Sequence, residues 1–155
     1  MNHGILLGIA GEYFVAGELS RRGYIASITL RNTASIDILA SNGEKTVNIQ
    51  VKSRWIETDG WKMGNAPLDF KGVSDNVFYV FVEIHSDPSN KGIVYYVIPK
   101  KILNERVEEN YQKWKEGVNL INGKPRTATL RIFRIEEYPE FQTSKYKDNW
   151  QILFS

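Results

Sequence analysis

The sequence predicts a single α/β domain with a mixed central sheet and helices on its flanks. Three observations carry this: a helical repeat of apolar residues near the start, two alternating segments joined by Asn42-Gly43, and the almost uninterrupted apolar run "NVFYVFVEI". The chain has 155 residues, 42% of them hydrophobic, enough for one core without disulfides or a structural metal. Residues 1–155 therefore read as one domain.

Gly4 to Arg22 is expected to be helical, because Ile5, Ile9, Ala16 and Leu19 recur at helical spacing and Gly23 follows as a C-terminal cap. "YIASITL" (24–30) reads as a strand. "SIDILAS" (35–41) and "KTVNIQVKS" (45–53) are two more, with Asn42-Gly43 as a two-residue hairpin turn. From Arg54 to Asp75 the pattern is lost among Gly60, Gly64, Pro67 and Gly72, giving a long loop with a short helix or strand. Loops of that length are often functional. "NVFYVFVEI" (76–84) has the pattern of a central strand covered on both faces, and "IVYYVIP" (93–99) is its partner. A second helix is expected from Pro99 or Lys100 to Glu116, on the stripe Ile102, Leu103, Val107, Tyr111 and Trp114. "ATLRIFRI" (128–135) alternates as a late strand, and "YKDNWQILF" (146–154) forms a short terminal helix.

Composition narrows the function. Without cysteine, disulfides, thiol nucleophiles and cysteine-ligated zinc are excluded. No apolar run is long enough to span a bilayer, and the opening "MNHGILLGIAGEYF" lacks the regions of a signal peptide, so a cytoplasmic protein without membrane association is expected. A net charge of +2 permits a nucleic-acid partner without demanding one. His3 and His85 are far apart and read as surface or satisfied histidines. No phosphate-binding glycine loop or nucleophile elbow is present.

A tight hairpin would pair Ser41 with Glu44 and set Asp37 opposite Asn48, with Gln50 diagonal to it. Asp37, Gln50 and Lys52 then share one face, while Ile36 and Ile38 share the other with Val47, Ile49 and Val51. On the first helix, Glu12 falls within the apolar stripe and Glu18 on the solvent side, and Gly8 and Gly11 suggest close approach of backbone or ligand. Each residue alone has a bland reading: Glu12 as a structural ion pair, Asp37 at an edge, Gln50 or Lys52 facing water. Together they offer oxygen ligands for a hard divalent cation and a lysine beside its bound water.

This arrangement resembles the PD-(D/E)xK nuclease superfamily, the restriction-endonuclease-like fold, and is similar to Holliday junction resolvase-like and Mrr-like nucleases. The resemblance lies in "GEYFVAGELSRRGY", "SIDILAS" and "VNIQVKSR", roughly the first third of the chain, in a QxK variant. It implies an αβββαβ core and metal-dependent endonuclease activity on nucleic acid, with DNA as the expected substrate. It implies that Asp37, Gln50, the Val51 carbonyl and Glu12 hold Mg²⁺ or Mn²⁺, and that Lys52 orients or deprotonates the attacking water. Ile36 stands where the motif has proline. Gln50 stands where many members carry an acid, which removes one formal charge from the site. The alternative is a catalytically weak or inactive module of the same fold that binds nucleic acid or a protein partner. Members that cut both strands commonly act as dimers, so a homodimer is the assembly implied. In the loop after the motif, Arg54, Trp61, Lys62 and Lys71 offer bases and an aromatic for nucleic-acid contact. An equal alternative is that Trp55 and Trp61 only anchor the loop to the core.

Overall fold

The computed structural model describes residues 3–30 and 35–155. Helix α1 (His3–Arg21) leads into Gly23 at φ +85°, a left-handed conformation that lets the Tyr24 N–H return to the Leu19 carbonyl at 3.0 Å. Three antiparallel strands follow: β1 (Ile25–Ile28), β2 (Ile38–Ser41) and β3 (Thr46–Trp55). After β4 (Trp61–Gly64), strand β5 (Val77–Ile84) pairs parallel to β3, and β6 (Ile93–Pro99) returns antiparallel to β5. Helix α2 (Lys100–Lys115) starts directly from β6, and β7 (Arg131–Phe133) pairs with β4 in a small second sheet. The chain finishes in 3₁₀ turns at Ile135–Glu137, Pro139–Gln142 and Trp150–Phe154. The main sheet runs β1-β2-β3-β5-β6, a mixed sheet flanked by helices, the class expected.

The parallel crossover from β3 to β5 carries β4 where the αβββαβ order has its second helix; here α2 follows β6. Trp61 and Met63 of β4 supply apolar cover in that connection. Trp61 packs edge-on to Phe81 of β5, ring centroids 5.0 Å apart, and stacks on Phe133 of β7 at 5.6 Å.

The two sheet faces bury separate clusters. Val47, Ile49, Phe78, Val80 and Val82 pack with Val15 and Leu19 of α1, whereas Tyr79, Phe81 and Ile98 pack with Leu103 and Val107 of α2. Alternation along β3 therefore sends Gln50 and Lys52, the register partners of Tyr79 and Phe81, to the α2 face.

Two local expectations are corrected. Ser41 pairs with Thr46, not Glu44, so the hairpin loop spans residues 42–45. The Asn42 side-chain oxygen accepts the N–H groups of Glu44 and Lys45, and Ser41 Oγ accepts that of Gly43, so side chains close the longer loop. The shift is two residues, so side-chain parity survives. The buried line of α1 is Gly11, Val15 and Leu19, not one centred on Glu12; Ile5 is exposed, and Glu12 and Glu18 are half-buried on the two flanks. The reason lies at Gly11. A Cβ there would sit 1.8 Å from Ser53 Oγ and 3.0 Å from Ser53 Cβ, so glycine lets the α1 backbone lie directly on β3.

Candidate active site

Asp37 lies just before the first paired residue of β2. Its N–H donates to the Ile49 carbonyl at 2.9 Å, and its Oδ2 accepts the Val51 N–H at 2.7 Å. The carboxylate thus takes a backbone donor of β3 at the point where β2 leaves it, and the two-residue register change brings it to the Ile49–Val51 stretch instead of to Asn48.

Lys52 follows on the same strand. Burial pushes its ammonium below the ordinary lysine range, and the Asp37 carboxylate beside it works against that. Lys52 lines a cleft of about 520 Å³ between the first turns of α1 (Gly4 and Leu7) and the β3–β4 connection, with Lys62 on its rim.

A residue without a sequence assignment completes the cluster. Lys100 is the first residue of α2, and its Nζ donates to Gln50 Oε1 at 3.0 Å while lying 5.2 Å from the centre of the Tyr79 ring. Burial lowers its pKa, the Lys52 charge lowers it further, and Asp37 and Asp69 oppose. Pro99 explains the placement: it ends β6 and begins α2, so the next side chain stands at the edge of the sheet, above Tyr79 of β5 and Gln50 of β3. The sequence shows only a basic Lys100-Lys101 pair at a helix start; its distance from Gln50 depends on pairing across three strands.

Asp37, Gln50, Lys52 and Lys100 are therefore one cluster, with two ammonium groups near the Asp37 carboxylate and Asp69 within electrostatic reach of Lys100. Such a group suits a bound phosphate. For a hard cation, the donors are right in kind, a carboxylate and an amide oxygen. Gln50 Oε1, however, already accepts from Lys100, and among the described residues no group of three acidic, histidine or cysteine side chains converges. Glu12 is half-buried on α1, the helix that covers the opposite face of the sheet from Gln50 and Lys52.

The expected nucleic-acid contacts divide. Lys62 and Lys71 are exposed. Arg54 and Trp61 are instead interior, at 5% and 1% exposure, which corrects the reading of Arg54 as a surface contact and favours for Trp61 the alternative of a core anchor. Arg54 forms an ion pair with Glu83, its register partner on β5, reaches Glu136 at 3.1 Å, and lies 4.2 Å from the Trp61 ring centre. A buried carboxylate at Glu83 needs this guanidinium, and Trp61 is a core anchor.

No family model matches the chain, and no curated protein matches it. Among solved structures, it is similar to a bacterial homing endonuclease, I-Ssp6803I, at 16% identity over 67% of this chain and 74% of that one, with a TM-score of 0.49. At that distance no residue role or activity is carried across.

Proposed function

We propose that the chain binds nucleic-acid phosphodiesters at the Asp37, Gln50, Lys52 and Lys100 cluster and hydrolyses them with a divalent cation, DNA being the first substrate to try. The observation that carries this is the Asp37 carboxylate pinned to the Val51 N–H with the Lys52 ammonium beside it in a cleft. Asp37, Gln50 and the Val51 carbonyl would hold Mg²⁺ or Mn²⁺, which when bound supplies Lewis acidity toward a phosphoryl oxygen and a more acidic water; Glu12, on the helix across the sheet, is not part of this set. Lys52 faces the charge that builds on the phosphoryl oxygens, and Lys100 adds a second positive charge to the same wall. Two such sites in a homodimer would serve both strands of a duplex.

The test is incubation of purified protein with DNA and RNA in Mg²⁺ or Mn²⁺. Wild type should cleave, and Asp37→Asn and Lys52→Met should not; no cleavage by wild type refutes hydrolysis, and equal cleavage by all three refutes this site. The contact between Lys100 and Gln50 favours a second reading, a module that binds phosphodiesters without cutting them. That reading expects binding in EDTA which Lys52→Met abolishes.

A further inference from the structure

The far end of α2 carries a separate constellation. A groove of about 670 Å³ runs between the C-terminal half of the helix and the segment leading into and beyond β7. In its wall Trp114, 40% exposed, stacks on Tyr111 with ring centroids 5.9 Å apart and planes 29° from parallel. The Arg126 guanidinium lies 5.1 Å from the Trp114 ring centre, fixed by a 2.7 Å bond from its Nη1 to the Trp114 carbonyl, and Arg131 lies 3.8 Å from the Tyr111 centre. A guanidinium thus lies against each of the two rings.

Beside this platform, residues 118–125 close into a tight hairpin. Val118 bridges Pro125, the Asn119 N–H donates to the Lys124 carbonyl at 2.8 Å, and the Gly123 N–H to the Asn119 carbonyl at 2.7 Å. The turn holds Leu120 and Ile121 at its tip, 91% and 96% exposed. Two adjacent aliphatic side chains held almost wholly in water at the tip of an ordered turn present an apolar point for a partner to cover. Lys113, Lys115, Lys124 and Arg126 surround the feature, and none of the four forms an ion pair among the described residues.

We propose that this groove and hairpin form a second nucleic-acid site, which seats an unpaired base on Trp114 and wedges Leu120 and Ile121 into the adjacent stack. Bases stack on aromatic rings and on guanidinium planes, and apolar side chains open base steps. These cations, without an ion pair among the described residues, match a phosphate backbone. The ligand class rests on the phosphodiester reading above. Lys100 and Trp114 stand at opposite ends of α2, about 20 Å apart at about 1.5 Å per residue, a span of several nucleotides. A lysine-ringed apolar tip also suits an anionic bilayer, but only a planar ligand uses the stacked rings and guanidinium.

The experiment is fluorescence anisotropy with a labelled single strand and its duplex, in EDTA so that cleavage cannot intervene. Trp114→Ala should weaken single-strand binding about tenfold, and Trp114→Phe, which keeps a ring, should largely restore it. Leu120→Ser with Ile121→Ser should weaken binding at a single-strand to duplex junction; both positions are exposed, so the variant folds, as thermal melts would confirm. Unchanged binding by Trp114→Ala, failure of Trp114→Phe to restore it, or no single-strand binding by wild type overturns the proposal. So does a tip variant that loses only adhesion to phosphatidylserine vesicles. Lys52→Met separates the two readings: lost cleavage there with wild-type binding by Trp114→Ala sinks this site alone, and retained cleavage with weakened Trp114→Ala binding sinks only the catalytic assignment.

Discussion

Lys100→Met should move metal binding and metal-free nucleic-acid binding in opposite directions. In the native chain the Lys100 ammonium donates to Gln50 Oε1 at 3.0 Å and stands near Asp37 and Lys52. A hydrogen bond to a charged group contributes about 1.5–3 kcal/mol. A divalent cation that uses the Gln50 oxygen has to displace that bond and also meets the ammonium's positive charge. With about 1.4 kcal/mol per factor of ten, removing the ammonium should tighten Mn²⁺ binding at least about tenfold. Methionine keeps a comparable length over Tyr79 and carries no charge. Calorimetric titration of Mn²⁺ into wild type, Lys100→Met and Asp37→Asn reads the effect, with the last as the baseline. Anisotropy in EDTA should show weaker nucleic-acid binding by Lys100→Met, because half of the local positive charge is gone. If Lys100→Met binds Mn²⁺ no more tightly than wild type while Asp37→Asn abolishes binding, Gln50 is not a metal donor and the reasoning fails.

Gly11→Ala would drive a methyl group into Ser53 and lift α1 from β3; destabilisation of about 1–3 kcal/mol is expected in urea unfolding, and a neutral result would mean that the helix does not lie as close as described. Glu108 is pushed up by burial, but bonds from Arg131, the Leu68 N–H and Gln112 outweigh this and hold its carboxyl below the ordinary range. Its contribution to stability is therefore present above the unfolded pKa and lost as pH falls through the lower folded one. Glu108→Gln should cost about 3 kcal/mol near neutrality, because Arg131 loses its buried partner, and should flatten the acid limb of the stability profile; an unchanged acid limb contradicts the assignment. Lys62→Ala with Lys71→Ala should reduce the salt dependence of nucleic-acid binding if these exposed lysines touch phosphate, and an identical slope removes them from the interface.

Much of the candidate cluster's placement was legible because the strand repeat is local. Alternation in "SIDILAS" and "KTVNIQVKS" assigned Gln50 and Lys52 to one face and Val47, Ile49 and Val51 to the other, and a two-residue error in register could not disturb that. The phase of α1 was less legible, since its most closely packed residue is a glycine, which hydrophobicity does not mark. The tryptophans were misleading in sequence: Trp114 falls on the apolar stripe of α2 and Trp61 in an irregular loop, yet Trp61 is buried beneath Arg54 and Trp114 is 40% exposed beside Arg126.

By itself the sequence determined most of the elements, the faces of the strands and the candidate residues Asp37, Gln50 and Lys52, because these follow from repeats of two and 3.6 residues read within short windows. Only the tertiary structure decided that Asp37 binds the Val51 N–H, that Lys100 occupies the Gln50 oxygen and that Arg54 is spent on Glu83. Each of those depends on pairing between segments far apart in the chain, which no local pattern encodes.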